Sequence, residues 1–314
     1  MEWMIETDKL TRRYPSQNED AVHELSLTVA KGRLFGLIGP DGAGKTTTLR
    51  MLSTVMPPSS GSARVAGFDT RTQAENIRAN LGYMPQNFSL YPDLTALQNL
   101  EFFADINRVP KSTRQERISE MLAFTRLENF TQRRAGMLSG GMKKKLALAC
   151  ALVHNPAVLL LDEPSTGVDP VSRRELWMIL GRVVQKGVTV VVSTPYMDEA
   201  ERCHQVAILS HGEILSVGTP DALVNSLPFE ILEVKGKPRK DMRRIVGDLP
   251  NVIEWRPVGD RLRLSVPGEQ SESILSDLSG RLNQENLEVR LLRKARRSME
   301  DVFVHLAGKT RRSE

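Results

Sequence analysis

A chain of 314 residues, with 40% hydrophobic and 26% charged residues and a net charge of +5, is long enough for two domains and apolar enough for a real core. Its longest apolar runs, 157–161 and 188–192, fall far short of a bilayer span, and Met1-Glu2-Trp3-Met4-Ile5-Glu6 lacks the pattern of a secretory signal, so a soluble chain is expected. Cys150 and Cys203 have no paired spacing, the five histidines form no ligand motif, and 5% aromatics without basic interleaving argue against single-strand nucleic-acid binding. A reducing cytosol suits this cysteine usage.

From the N-terminus, residues 3–14 are predicted to form a strand and turn ending in Arg12-Arg13-Tyr14. Leu25, Leu27 and Val29 alternate with polar residues, the pattern of a half-buried strand. Lys31-Gly32 turns this strand into the apolar run Leu34-Phe35-Gly36-Leu37-Ile38. Next, Gly39-Pro40-Asp41-Gly42-Ala43-Gly44-Lys45-Thr46-Thr47 fits G-x-x-x-x-G-K-[ST], and a helix is expected from Thr48. A strand feeding a helix through such a loop aims backbone N–H groups and the positive helix end at a phosphate. Lys45 then reaches the β/γ-phosphates and the Thr46 hydroxyl sits on Mg²⁺. Gly39, Asp41, Gly42, Ala43, Gly44 and Thr47 complete the nucleotide cradle.

A short strand at 63–66 and a helix at 71–80 precede Leu81-Gly82-Tyr83-Met84-Pro85-Gln86, a strand ending at a glutamine. From about 87 to 137 apolar residues recur at helical spacing, as in a helical insertion. Leu138-Ser139-Gly140-Gly141-Met142 opens another helix. Val158 to Leu161 is an unalternating apolar strand, as in a parallel sheet buried on both faces, and it ends in Asp162-Glu163. Adjacent buried carboxylates are costly unless a metal or donor compensates them. A helix at 170–185, a buried strand at 188–193, a helix at 197–203 and strands at 205–210 and 213–217 follow. Composition shifts at about 219–228, which suggests a linker. Beyond it the order is strand 229–235, helix 239–248, strands 252–257 and 260–266, helix 270–284 and strand 287–293, the βαββαβ order of a ferredoxin-like unit, closed by a helix at 298–307. Glu300-Asp301 near Arg296-Arg297 suggests helix capping and surface charge. The basic stretches 293–297 and 309–312 are expected to be solvated.

With the P-loop, Gln86, Leu138-Ser139-Gly140-Gly141-Met142 and Leu161-Asp162-Glu163 in this order, residues 3–218 resemble the nucleotide-binding subunits of ABC transporters. Within that family the sequence looks most like ATPase subunits of bacterial drug- and polysaccharide-type exporters. The resemblance implies an α/β fold: a P-loop, RecA-like ABC ATPase core with an antiparallel β subdomain and a helical subdomain, plus a small α+β ferredoxin-like C-terminal domain. The expected domains are 1–222, with the helical subdomain at about 87–145, then 228–308 and a basic tail 309–314. ATP and Mg²⁺ are the implied ligands. Tyr14, 25 residues before Gly39, matches the aromatic that stacks on adenine. Gln86 matches a glutamine that touches Mg²⁺ and the attacking water. Asp162 matches the Mg²⁺-holding aspartate and Glu163 the general base. Ser139, Gly140 and Gly141 match the signature that closes over a γ-phosphate on another protomer, and Ser139 also suits a helix N-cap. Asp169 matches the loop that crosses the dimer interface.

One position departs from the family. Its switch histidine belongs in Ser193-Thr194-X-Tyr196-Met197-Asp198-Glu199-Ala200, and here X is Pro195, which offers no donor. Loss of one preorganised donor can cost about 10²–10³ in rate. Two arrangements stay open: a degenerate site completed beside a different ATPase subunit, or a homodimer whose remaining groups suffice. The resemblance further implies an integral membrane permease as partner; Phe88-Ser89-Leu90-Tyr91-Pro92, just after Gln86, is the candidate docking surface, and an apolar cluster there equally suits subdomain core. No nucleic acid is expected, and a peripheral place on the inner face of the cell membrane is. The alternative function is a soluble ABC-type ATPase acting on ribosomes or DNA, whose relatives carry two halves or long coiled coils.

Overall fold

Ile5 and Leu10 in β1 (Trp3–Arg13) are both buried because the register shifts between Thr7 and Leu10, where Lys9 takes φ +46°. Leu25, Leu27 and Val29 in β2 (Asp20–Ala30) are buried, because alternate side chains of a strand share one face. The computed structural model describes residues 2–16, 18–87 and 90–310, with residues 309 and 310 in backbone only. Next come β3 (Leu34–Ile38), α1 (Lys45–Leu52), β4 (Ser60–Val65), β5 (Phe68–Asp69), α2 (Ala74–Asn80) and β6 (Leu81–Met84). The antiparallel sheet has the order β2-β1-β4-β5. Two helices then occupy the predicted helical stretch, α3 (Ala96–Ile106) and α4 (Lys111–Thr125), and α5 (Gly140–Leu152) opens at the Leu138–Met142 motif. Thr95 and Gln98 start α3 with a reciprocal capping box.

After α5 come β7 (Val158–Asp162), α6 (Pro170–Gln185), β8 (Thr189–Thr194), α7 (Met197–Ala200), β9 (Gln205–Ser210) and β10 (Glu213–Gly218). The main sheet has the order β10-β9-β3-β8-β7-β6, parallel throughout except for β10. β3, β7 and β8 are buried along their whole length, as strands covered on both faces must be. Register places Ile38 beside Thr194, Asp162 beside Ser193 and Met84 beside Leu161. The carboxyl ends of four strands therefore gather the P-loop, Glu163, Thr194 and the approach to Gln86 along one edge, where open α/β sheets bind ligands. His204 is at the opposite edge, its Nδ1 accepting the Leu34 N–H at 3.0 Å. It cannot stand in for a side chain at position 195.

One compact unit runs to Pro220 and a second starts at Asp221. The expected linker instead holds a short helix, α8 (Pro220–Asn225), with proline at its first turn, where the missing N–H costs nothing. The second unit runs β11 (Phe229–Lys237), α9 (Arg239–Gly247), β12 (Glu254–Val258), β13 (Arg261–Pro267), α10 (Ser271–Gln284), β14 (Glu288–Ala295) and α11 (Met299–Thr310). Its antiparallel sheet has the order β12-β13-β11-β14. Leu232, Val234, Leu262 and Leu264 pack with Met242, Ile245 and Val246 of α9 and Ile274, Leu278 and Leu282 of α10.

The polar side of this sheet corrects a sequence expectation. Asp301 is buried rather than on the surface, and accepts from Arg256 at 2.8 Å, Arg263 at 2.8 Å and Ser298 at 2.8 Å. Arg293 donates to buried Glu233 at 3.1 Å, alongside Arg261 and Arg263, while its own side chain stays exposed, as expected of this basic stretch. Burial alone would push both carboxyls up, but the arginine hydrogen bonds and charges hold them below their ordinary 4.5 and 3.8. The unfolded chain therefore binds more protons in this range, and the stabilisation is complete above the ordinary values and lost as pH falls through the depressed ones. Amide hydrogen exchange of β11, corrected for intrinsic rate, should show protection that is flat above about pH 5 and declines below it. Protection unchanged down to pH 3 would remove these pairs as its source.

Candidate nucleotide site

The P-loop geometry rests on close backbone approach. Gly44 has φ +96°, and a Cβ there would lie 2.5 Å from the Ala21 carbonyl oxygen, so only glycine fits. This leaves the first N–H groups of α1 facing the loop, the orphan donors that favour an anion. Lys45 is buried, and its Nζ donates to the Gly39 carbonyl at 2.8 Å and the Pro40 carbonyl at 2.9 Å. Glu163 Oε1 lies 3.8 Å away. Burial pulls the Lys45 ammonium below the usual lysine range, while the carboxylates of Glu163, Asp41 and Asp162 act against that shift.

Asp162 and Glu163 end β7 with different surroundings. Asp162 Oδ1 accepts from Ser193 Oγ at 2.6 Å and Thr46 Oγ1 at 3.0 Å. Its Oδ2 is buried with no partner among the described residues. A buried carboxylate oxygen left bare is costly, and a cation beside it removes the cost. Thr46 Oγ1, bonded to the same carboxylate, and the Gln86 amide oxygen, from the lining of the cavity over the loop, are hard oxygens, a set that fits Mg²⁺ held by one carboxylate and substrate phosphates. Glu163 adopts a left-handed backbone, φ +47°, at a cost of about 1–2 kcal/mol for a residue with a Cβ. Its N–H donates to Ser193 Oγ at 3.0 Å. Its carboxylate accepts from Gln86 Nε2 at 2.9 Å and Thr166 Oγ1 at 3.1 Å.

A cavity of about 650 Å³ opens over this arrangement, lined by Tyr14, the 41–47 loop, Gln86 and Glu163. Gly39 forms the base of the loop rather than its lining. Tyr14 donates or accepts through its hydroxyl to Thr47 Oγ1 at 3.2 Å, and the Arg12 guanidinium sits 5.3 Å from its ring centroid. Asp20 and His211 also line the cavity. Nothing in the sequence marks His211; the turn between β9 and β10 brings it there, at φ +48°. Hydrogen bonds from Arg13 and His23 lower the Asp20 carboxyl from its ordinary value.

Ser139, Gly140, Gly141 and Asp169 do not line that cavity. Ser139 Oγ caps α5 by accepting the Met142 N–H at 3.3 Å. Gly141 packs on α6, where a Cβ would meet the Ser172 side chain at 2.5 Å. Asp169 Oδ1 caps α6 through the Val171 and Ser172 N–H groups at 3.1 and 3.0 Å. Both motifs thus present rigid helix starts away from the chain's own P-loop.

The sequence profile of the ABC transporter family matches residues 22–166. The Nod factor export ATP-binding protein I of Paraburkholderia xenovorans is 36% identical over 310 residues, covering 97% of each chain. The chain belongs to the ATP-binding proteins of ABC transporters. The probable multidrug ABC transporter ATP-binding protein YbhF of Escherichia coli is 41% identical over 314 residues, 99% of this chain and 53% of the relative. The chain therefore spans about half the length of that relative. Among solved structures, the ATP-binding cassette MJ0796, a dimer in a post-hydrolysis state bound to ADP and Pi, superposes with a TM-score of 0.64. It is 27% identical, and the match covers 69% of this chain and 98% of that cassette. The ABC cassette core of the fold is thus shared with known structures. Among the described residues no helix is long and apolar enough to cross a membrane.

Proposed function

We propose that this chain is the ATP-hydrolysing subunit of an export complex and acts through a separate membrane permease. The observation that carries the reading is the clasp at the end of β7: bare Asp162 Oδ2 beside Thr46, and Glu163 held by Gln86 and Thr166 within 3.8 Å of Lys45. The triphosphate occupies the α1 N-terminus, and Lys45 exchanges its two carbonyl partners for β/γ-phosphate oxygens. Asp162, Thr46 and Gln86 hold Mg²⁺, which neutralises charge developing on the phosphates. Tyr14 presents its ring to adenine. Glu163 orients water for in-line attack and accepts its proton. Ser139, Gly140, Gly141 and Asp169 meet the nucleotide of a second ATPase subunit, head to tail. The relatives' names, Nod factor export and multidrug transport, support export. Steady-state phosphate release from ATP, with Glu163→Gln as control, tests the reading.

The helical stretch offers the docking surface. Of Phe88-Ser89-Leu90-Tyr91-Pro92, Phe88 and Ser89 lie outside the described residues, and Leu90 is buried as core. Tyr91 is 47% exposed, its ring edge-on to Phe102 at 4.5 Å, with Ile106 exposed on the same helix as Phe102. Aromatic anchors of this kind carry much of an interface's energy, about 2 kcal/mol or more each. Tyr91→Ala, coexpressed with the permease, should cut recovery of the chain with membranes while ATP binding by the purified variant persists. Full recovery with membranes would move the docking site elsewhere.

A further inference from the structure

Lys144, on the second turn of α5, faces inward toward the clasp. Its Nζ donates to the Gln86 carbonyl at 3.0 Å and reaches the Glu163 carbonyl at 3.5 Å. One ammonium thus joins three elements: the helix that begins at Ser139, the end of β6 and the end of β7. Its two backbone partners belong to the same residues whose side chains bond each other, Gln86 Nε2 to Glu163 Oε2 at 2.9 Å. Packing does not force this position. A cavity of about 190 Å³, lined by Met84, Pro85, Asn87, Lys144, Thr166 and Gly167 among others, lies beside the amine and leaves it room to turn away. The attraction of a charged donor for two carbonyl dipoles places it there.

Glu163 needs such support. Its backbone is left-handed, φ +47°, and a strained conformation persists only where the surroundings over-determine it. Ser193 fixes its N–H. On the carbonyl side, the Thr166 N–H at 3.3 Å is the other donor. We infer that Lys144 is a positioning residue: it holds the Glu163 backbone and Gln86 in the clasped geometry and ties that geometry to the position of α5. The inference rests on the proposed ATP hydrolysis for its catalytic consequence, though not for the strut itself. Movement of α5, whose first residues meet the partner's nucleotide, then shifts the base and its glutamine together.

The test uses the full chain with Lys144→Met and Lys144→Arg. Amide hydrogen exchange in segments 84–87 and 162–168 should quicken about tenfold in Lys144→Met and stay near wild type in Lys144→Arg. The kcat for MgATP should fall about tenfold in Lys144→Met with KM within about twofold, the pattern of a lost transition-state contribution. Wild-type exchange rates in Lys144→Met overturn the strut, whatever the turnover. Faster exchange with unchanged kcat overturns its catalytic consequence. Absence of Glu163-dependent turnover in the wild type defeats the proposed function instead, and the strut then stands or falls on exchange alone.

Discussion

Glu163→Gln is expected to lower ATP turnover by about 10²–10⁴-fold, the range for loss of a general base, while nucleotide affinity stays within a few-fold. The two side chains have the same shape, so the hydrogen bonds from Gln86 and Thr166 can still find an oxygen. What disappears is a charge that can take a proton from water. Binding depends on other groups: the α1 N-terminus, Lys45 and Thr46. Lys45 does lose a carboxylate at 3.8 Å, but the triphosphate supplies more negative charge than that carboxylate did. Phosphate release and equilibrium binding of ATP, measured on the same preparation, separate the two effects. Equal turnover in wild type and variant would mean that the observed hydrolysis does not come from this site, and the functional reading would fall with it.

Legibility in the sequence followed how local the physics is. The P-loop was readable because a strand, a glycine turn and a helix start lie within a few residues, and Gly44 cannot be replaced where Ala21 passes so close. The unalternating apolar runs at β7 and β8 announced a sheet covered on both faces, and the structure pairs them in parallel. What stayed hidden depends on contacts distant in sequence. His211 reaches the cavity only because β9 lies next to β3. Asp301 looked like surface charge in Arg296-Arg297-Ser298-Met299-Glu300-Asp301, yet its partners Arg256 and Arg263 come from other strands about forty residues earlier. Lys144 sits in a run of three lysines that composition alone assigns to solvent. The position of α5 turns two of them inward, Lys144 toward the ends of β6 and β7 and Lys145 onto Glu175 of α6. The α8 helix was missed for the opposite reason. Thr219-Pro220 carries a linker's signature, and proline at a helix's first turn carries the same letters.

Pro195→His is expected to raise turnover by up to about 10²-fold if this chain's own site lacks one donor. The turn at 195 does not depend on proline. Thr194 Oγ1 accepts the Tyr196 N–H at 3.1 Å and donates to buried Glu199 at 2.6 Å, and Glu199 also accepts from Trp177 at 3.2 Å. These bonds fix the backbone on both sides of residue 195, so a histidine there inherits a set position. That position is next to the P-loop, since the Gly39 N–H donates to the Thr194 carbonyl at 3.3 Å. Among the described residues, the hydrogen bonds that reach the Glu163 carboxylate come from Gln86 and Thr166, and none from segment 194–197. An imidazole at 195 would add a donor on that side. Its ordinary pKa near 6.5 would also give the variant a pH dependence around neutrality that proline cannot have. Turnover and its pH profile, measured on Pro195→His and on Pro195→His/Glu163→Gln, therefore decide between the two arrangements. A gain that vanishes with Glu163→Gln identifies the native site as short of one donor, and the complete site then belongs beside a second, different ATPase subunit. Unchanged, Glu163-dependent turnover means that Lys45, Gln86 and Thr166 suffice, and two copies of this chain can form the working pair.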